Sequence, residues 1–209
     1  MFKVKEIYYT LQGEGARSGR PAVFCRFSGC NLWSGKEKDR QKAICKFCDT
    51  DFFGVNGPGG GNFKDEDQIT FSINSFWPEN LENKYVVLTG GEPALQINER
   101  LIENLHSSGF EIAIETNGTL SIPKGIDWIT VSPKFGTTLK VRSGDELKLI
   151  FPQEEMNPEK FEKMDFTNFF LQPMDGKKKT INTQKTIKFC LENPLWNLSL
   201  QTHKYIGIP

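Results

Sequence analysis

Three cysteines, at positions 30, 45 and 48, combine residue type and spacing in a way that predicts a metal centre. Cys45 and Cys48 form a C-x-x-C pair, and fourteen residues separate Cys30 from that pair. Three thiolates suit a [4Fe–4S] cluster, because the fourth iron then stays free to bind a substrate or cofactor. A closed structural zinc site usually needs a fourth protein ligand. The cysteines alone leave zinc and iron–sulfur as comparable alternatives.

The remaining cysteines and the two histidines bear on the zinc alternative. Cys25, His106 or His203 would each offer zinc a fourth ligand. Cys25 lies in an apolar run and Cys190 on the apolar stripe of a helical pattern, so we expect both in the core. The chain has five cysteines, an odd number, and residues 1–6 carry no apolar signal segment. Metal or redox chemistry is therefore favoured over a disulfide framework, and the expected location is the cytoplasm.

The bulk composition narrows the class of protein. The 209 residues contain 26 Lys and Arg and 26 Asp and Glu, so the net charge is zero. This balance argues against a protein that binds nucleic acid duplexes, which needs excess positive charge. No apolar run is long enough to cross a membrane. We expect one domain that spans residues 1–209.

The hydrophobic pattern predicts strands that alternate with a few helices. The predicted strands are 22–28, 85–89, 111–115, 128–132, 146–151 and 168–172, with 4–9 as a possible edge strand. The predicted helices are 97–108 and 183–192. A complete eight-fold barrel takes about 250 residues. We therefore predict an α/β fold, a partial (truncated) TIM-like barrel of about six mainly parallel strands, with residues 54–62 as a flexible surface loop.

Polar or glycine-rich clusters follow five of the predicted strands. Such groups gather at the carboxyl ends of parallel strands. The clusters are Cys30, residues 89–93, 115–118, 132–134 and 172–175. We expect these residues to share one cavity.

The motif at 90–93, Gly-Gly-Glu-Pro, follows a strand directly. Its glycines let a ligand approach the backbone, and Glu92 can accept a hydrogen bond from an amine. By itself the motif is typical of a strand-to-helix turn. Together with the three-cysteine loop, it resembles the radical S-adenosylmethionine (SAM) superfamily. The usual cysteine spacing there is C-x3-C-x2-C, so residues 31–44 form an insert, which we expect to bulge outward as a small helix or loop.

A C-x14-C-x2-C spacing together with residues 11–15, Leu-Gln-Gly-Glu-Gly, is similar to the 7-carboxy-7-deazaguanine synthase family. The resemblance runs from residue 12 to Pro209. It implies a radical SAM lyase that converts 6-carboxy-5,6,7,8-tetrahydropterin to 7-carboxy-7-deazaguanine with loss of ammonia, on the way to 7-deazapurines such as queuosine. It also implies a [4Fe–4S] cluster, SAM and Mg²⁺ as cofactors, a flavodoxin or ferredoxin as electron donor, and a homodimer.

The same resemblance assigns residues to each ligand. Cys30, Cys45 and Cys48 would hold the cluster, and Thr50 would bind Mg²⁺. The implied SAM-binding residues are Gly91, Glu92, Glu115, Ser132, Pro133, Lys134, Gln172, Pro173, Met174 and Asp175. The implied substrate-binding residues are Leu11, Gln12, Gly13, Glu14, Arg26, Thr89, His203 and Pro209.

Three observations qualify these assignments. Arg26 interrupts an otherwise apolar strand, which favours an inward position from which it could bind a carboxylate. His203 is also typical of a buried structural histidine. Glu115 would bind the ribose hydroxyls of SAM, in the way that acidic residues bind ribose elsewhere.

Two other functions stay open at this point. A radical SAM activase that makes a glycyl radical on a partner protein would share the short partial barrel, but would more typically show C-x3-C-x2-C. A zinc-stabilised binding module would explain the three cysteines but not the clusters at five strand ends. Iron and sulfide analysis would separate the zinc module from both enzymes.

Overall fold

The computed structural model describes residues 1–153 and 155–209, and within them nine strands form one continuous sheet. The strands are β1 (Phe2–Leu11), β2 (Pro21–Phe27), β3 (Gly61–Phe63), β4 (Tyr85–Gly90), β5 (Glu111–Thr116), β6 (Trp128–Val131), β7 (Ser143–Phe151), β8 (Asp165–Pro173) and β9 (Trp196–Leu198). Their order is β3-β1-β2-β4-β5-β6-β7-β8-β9. β1 runs antiparallel to both of its neighbours, and every other pair of neighbours is parallel.

Four α-helices occur in the described residues: α1 (Glu66–Phe76), α2 (Glu99–Ser107), α3 (Lys179–Glu192) and α4 (Thr202–Ile206). Side-chain caps set the first turns of two of them. The Asp65 side chain accepts from the Gln68 N–H, and the Asn98 side chain accepts from the Leu101 N–H. Each such cap stabilises a helix by about 1 kcal/mol. None of the helices in residues 1–153 and 155–209 is long and apolar enough to cross a membrane.

The sheet has an apolar face and a polar face because side chains alternate along each strand. In β7, Leu147 and Leu149 are fully buried in the core. Glu146 and Lys148 lie on the opposite face, where they contact the hairpin loop between β1 and β2. Helices α1, α2 and α3 cover the apolar face. Burial of each core leucine stabilises the fold by roughly 2 kcal/mol.

The mixed α/β class and the small number of helices match the prediction. The six strands predicted after residue 20 correspond to β2 and β4–β8. Within the described residues, β3 and β9 each pair on one side only, so the sheet is open and a closed barrel is absent. Cys25 is fully buried in β2, as predicted, and Cys190 packs against the core beneath α3.

Several boundaries were wrong. β1 is not an edge strand, because β3 pairs with its first residues. β3, β9 and α4 were missed because they are only three to five residues long. Helix α1 was missed because polar residues interrupt its apolar stripe. Helix α3 begins at Lys179, four residues before the predicted start.

Residues 54–62, predicted to be a flexible surface loop, lie against β1. The Gly57 N–H donates to the Lys5 carbonyl at 2.9 Å, and the Ile7 N–H donates to the Pro58 carbonyl at 2.7 Å. A side chain at Gly60 would clash with the Lys5 carbonyl. The glycines therefore allow close backbone contact along β1, which the composition alone does not distinguish from flexibility.

Candidate functional site

A cavity of about 330 Å³ lies on the polar face of the sheet, at the carboxyl ends of the central parallel strands. Its lining comes from β1, β2, β4–β8, the cysteine-containing loop and the C-terminal segment. All of the predicted site residues line it except Glu92 and Pro133. The fold thus brings together predicted site residues that are up to 198 positions apart, from Leu11 to Pro209. The cavity defines the candidate active site.

Glu92 is fully buried beside the cavity instead of lining it. Its carboxylate accepts from the Thr116 hydroxyl at 2.6 Å, the Asn117 N–H at 2.7 Å and the Ala94 N–H at 3.1 Å. Burial raises the pKa of Glu92 above its ordinary value. These contacts tie the turn after β4 to the end of β5, so Glu92 holds the Gly-Gly-Glu-Pro turn in shape. Pro133 is also buried and does not line the cavity, whereas its neighbours Ser132 and Lys134 do.

The cysteine loop, residues 30–50, is folded around its own insert. Residues Glu37–Lys42 form a 3-10 helix, in agreement with the predicted small helix or loop. Arg40 lies over the Trp33 ring at 4.1 Å and donates to the carbonyls of Lys46 at 2.9 Å and Cys48 at 3.0 Å. Trp33 packs edge-to-face against buried Phe52. The insert therefore braces the C-x-x-C turn from behind.

The three thiols of this loop line the cavity together. Burial raises the pKa of Cys30, and a hydrogen bond with Cys45 lowers the pKa of Cys48 to about 6. Among residues 1–153 and 155–209, no three His, Cys, Asp or Glu side chains are grouped as ligands of one metal ion. The donor set of three cysteine thiols fits an iron–sulfur cluster, which takes each cysteine on a different iron.

Lys134 lies on the same side of the cavity as the thiols. Its ammonium donates to the carbonyl and the hydroxyl of Ser132, both at 2.7 Å. Burial lowers the pKa of Lys134, and the nearby thiols oppose that change. A cation held next to thiolates favours their charged form, which is the form that binds metals.

The hairpin loop between β1 and β2 forms the opposite wall. Gly13 has no room for a side chain, because a Cβ atom there would clash with the His203 ring. The Gly13 carbonyl accepts from the N–H of Thr202 at 2.9 Å. Burial lowers the pKa of His203. Gly15 has a φ of +65°, and a side chain there would clash with the carboxylate of Glu146. The loop is thus held between α4 and β7.

Four charged side chains, Glu14, Glu115, Glu146 and Lys148, form what we call the floor cluster. The Lys148 ammonium lies 2.5 Å from Oε2 of Glu14 and 3.7 Å from Oε1 of Glu115. Glu146 accepts from the N–H of Ala16 at 2.9 Å. Burial alone would raise the pKa of Glu14, but the Lys148 ammonium and hydrogen bonds lower it to about 2.

Sequence reasoning missed Glu146 and Lys148. Their signal was two charged residues at alternate positions of a strand whose other residues, Leu147 and Leu149, are apolar. The carboxylate of Glu115, which was expected to bind the SAM ribose, accepts from the Gln12 side-chain amide at 3.1 Å. It therefore lies beside the residues that were assigned to the substrate.

Arg26 lies on the cavity face of β2. Its guanidinium donates from Nε to Glu6 at 2.8 Å and from Nη2 to the Tyr8 hydroxyl at 2.7 Å. Glu6 and Tyr8 come from β1, on the same face. Part of the guanidinium is thus fixed by β1, and its orientation is set before a ligand arrives.

The C-terminal segment joins the cysteine loop to the two walls of the cavity. The Lys204 ammonium lies 2.5 Å from a carboxylate oxygen of Asp49 and 2.5 Å from one of Asp175. The Gln201 amide donates to Glu14 at 3.0 Å and to Asp49 at 3.1 Å. The last residue, Pro209, accepts from the Thr10 hydroxyl at 3.2 Å.

Comparison with known proteins gives a consistent result. No protein-family model matches the chain. The 7-carboxy-7-deazaguanine synthase of Bordetella pertussis is 56% identical over 208 residues, which cover 100% of this chain and 99% of that protein. The protein of the same name from Caulobacter vibrioides is 53% identical over 208 residues, with the same coverage.

Among solved structures, the crystal structure of QueE from Escherichia coli matches with a TM-score of 0.66. The match covers 97% of this chain and 94% of that chain at 24% identity, so it concerns the fold.

Proposed function

This chain belongs to the family of the 7-carboxy-7-deazaguanine synthases, which are radical SAM lyases of the queuosine pathway, and we propose how its cavity performs that reaction. The substrate would be 6-carboxy-5,6,7,8-tetrahydropterin and the products 7-carboxy-7-deazaguanine and ammonia. One observation carries the assignment to this site. Three cysteine thiols and three members of the floor cluster, Glu14, Glu115 and Lys148, line the same cavity.

Cofactors would occupy the side of the cavity formed by the cysteine loop. Cys30, Cys45 and Cys48 would each bind one iron of the [4Fe–4S] cluster. The backbone of Gly91, residues 132–134 after β6 and residues 172–175 at the end of β8 would bind SAM beside it, with Glu92 shaping the turn from outside the cavity. When bound, the cluster and SAM supply the radical chemistry that removes a hydrogen atom from the substrate.

Magnesium would bind at Thr50, which lines the same cavity as the three thiols, two residues after Cys48. A hydroxyl oxygen is the type of ligand that Mg²⁺ prefers. The ion would also offset part of the negative charge of the substrate carboxylate. Arg26, already oriented by Glu6 and Tyr8, would bind the same carboxylate.

The substrate's donor-rich pterin edge would face the floor cluster. The carboxylates of Glu14 and Glu115 lie at 2.5 Å and 3.7 Å from the one ammonium of Lys148, and all three side chains line the cavity, so acceptors exceed donors. Backbone groups of residues 11–13 and Pro209 would complete the contacts. Glu115 would act from this side because of its contacts with Gln12 and Thr89. His203 would pack the loop in place and border the substrate.

Wider features of the family stay predictions for this chain. The sheet would curve around the cavity as a partial barrel, since β1, β2 and β4–β8 all contribute to one lining. The chain would act as a single domain and as a homodimer. Its electron donor would be a flavodoxin or ferredoxin.

The test is an anaerobic assay of iron-reconstituted protein with SAM, Mg²⁺, a reductant and 6-carboxytetrahydropterin, with product identified by mass. Formation of the deazaguanine that disappears in Cys45→Ala would support the proposal. SAM cleavage without that product would keep the radical chemistry and reject the substrate. If protein with full iron and sulfide content neither forms the product nor cleaves SAM, both the radical chemistry and the substrate are rejected.

A further inference from the structure

We propose that Lys148 is a positioning residue, whose buried ammonium holds Glu14 and Glu115 as carboxylates aimed at the substrate's N–H donors. This inference rests on the proposed function, because it concerns the same cavity. The inference adds Lys148 to the site, and the role of this residue comes from its position beside the residues assigned to the substrate.

The contacts of Lys148 place it between two walls of the cavity. Its ammonium is 2.5 Å from Glu14, in the hairpin loop, and 3.7 Å from Glu115, at the end of β5. Lys148 is only 4% exposed. The ammonium therefore links a loop to a strand at a depth where water does not compete for it.

Hydrogen bonds fix the two carboxylates on their other sides. Glu14 accepts from the side-chain amides of Gln172 and Gln201, each at 3.0 Å. Glu115 accepts from Gln12 at 3.1 Å. Each carboxylate thus has defined neighbours, and the lysine is the group that supplies positive charge to both.

The surrounding charges make the lysine necessary. Glu146, next to it on the same face of β7, is buried and adds a third carboxylate to the partly buried Glu14 and Glu115, and the N–H of Ala16 donates to it. Lys134, His203, Tyr8 and Tyr85 are further titratable groups whose charges interact with this cluster. Without Lys148, buried carboxylates would face one another with little compensation. Leaving a buried charge unpaired is strongly destabilising.

An apolar residue is the ordinary choice at a strand position this deeply buried. The neighbours of Lys148 on the other face, Leu147 and Leu149, follow that rule. A buried charge is retained here although its desolvation is costly. Its partners are two carboxylates that line the cavity. The costly buried charge is therefore explained by a role in the site.

The first measurement is ligand binding in Lys148→Met. Reconstituted, SAM-loaded enzyme is titrated anaerobically with 6-carboxytetrahydropterin without reductant, so that no turnover occurs. We expect the affinity to fall by roughly tenfold or more, because the carboxylates lose their fixed orientation. Lys148→Arg, which keeps the charge, should recover part of the loss. Lys84→Met is the matched control, since its ammonium contacts Asn74, Ser108 and the Phe110 ring, none of which lines the cavity.

The second measurement is thermal unfolding against pH, which does not require the cluster. At pH 7.5 we expect Lys148→Met to lower Tm by roughly 10 °C. In the variant, burial raises the pKa of Glu14 with no ammonium to oppose it. The deficit should therefore shrink as the pH falls and the carboxylates become neutral. Loss of packing alone would leave a deficit that does not vary with pH.

Each result has a clear reading. If wild type binds the pterin and Lys148→Met binds equally well, the role of Lys148 is wrong and the proposed function stands. If wild type does not bind, the proposed substrate is wrong. Should Lys148→Met fail to fold, Lys148→Met combined with Glu14→Gln should fold, because it removes the unpaired charge. A double variant that also fails to fold would overturn the proposal.

Discussion

The cysteine loop and the floor cluster face each other across one cavity, but they are built in different ways. The cysteine loop is one continuous segment, braced mainly by its own Arg40 and Trp33. The floor cluster comes from the hairpin loop, β5 and β7, and its lysine is almost fully buried. A centre whose chemistry comes from a bound group needs only a few contiguous ligands. A surface that must orient a substrate needs charges fixed by several strands.

The largest effect should come from removing one ligand on the cysteine side. Cys30→Ala should lose nearly all cluster iron and all product formation, because two thiolates cannot hold a cluster that needs three. Iron and sulfide content per chain is the measurement. Cys190→Ala, at a half-buried position on α3, should keep its iron. A Cys30→Ala protein with full iron content would contradict the assignment of cluster binding to the cysteine loop.

The floor cluster predicts a distinct response to acid. The pKa of Glu14 is lowered from 4.5 to about 2, so its contribution to stability is present above pH 4.5 and is lost as the pH falls towards 2. The contribution of Glu14 to the free energy of unfolding is on the order of 3 kcal/mol.

Glu14→Gln should remove this acid-dependent part of the free energy of unfolding, measured by urea denaturation between pH 6 and about pH 3. Glu192→Gln, an exposed residue on α3, serves as the control and should leave the profile unchanged. A profile for Glu14→Gln identical to that of wild type would contradict the role of the buried pair.

A smaller effect is expected from the brace behind the cysteine loop. Arg40→Gln removes the hydrogen bonds to the carbonyls of Lys46 and Cys48. Loss of about 1 kcal/mol should speed iron release to a chelator about fivefold. Arg100→Gln is the control, because Arg100 is 67% exposed and its ion pairs are 3.9 Å or longer. Equal release rates in Arg40→Gln and wild type would mean that the insert does not support the cluster ligands.

The smallest effect should come from the partly exposed ion pairs that join the cysteine loop to the segment after β8. Lys204 joins Asp49 of the cysteine loop to Asp175 at the end of β8. Because it is 30% exposed, Lys204→Met should cost less than about 1 kcal/mol, and the loss should be smaller at high salt. Thermal unfolding at two salt concentrations checks this, with Lys188→Met as the exposed control. A salt-independent loss would point to packing instead of charge.

Short-range patterns predicted much of the fold. The strands β2 and β4–β8 were found because runs of β-branched and aromatic residues end in turn residues. β3, β9 and α4 were missed because three to five residues carry too little periodicity. The pairing of β3 with β1 depends on glycines in residues 54–62 that allow close approach, and their composition also suits a mobile loop.

The candidate site divides in the same way. Cysteine spacing and glycine turns are local, and most of the residues chosen from them line the cavity. Glu92 is an exception, because its buried hydrogen-bond partners Thr116 and Asn117 lie more than twenty positions away. Lys148 and Glu146 form no motif, and their importance depends on neighbours from other strands.

By itself, the sequence determined that strands alternate with helices, that three thiols share one loop, and that polar groups follow five strands. These features depend on neighbours in the chain, through backbone propensity and the alternation of side chains. Only the tertiary structure decided which charges face one another. The 2.5 Å contact between Glu14 and Lys148 joins residues 134 positions apart. Such a contact exists only after the hairpin loop has folded over β7, and no local preference along the chain encodes it.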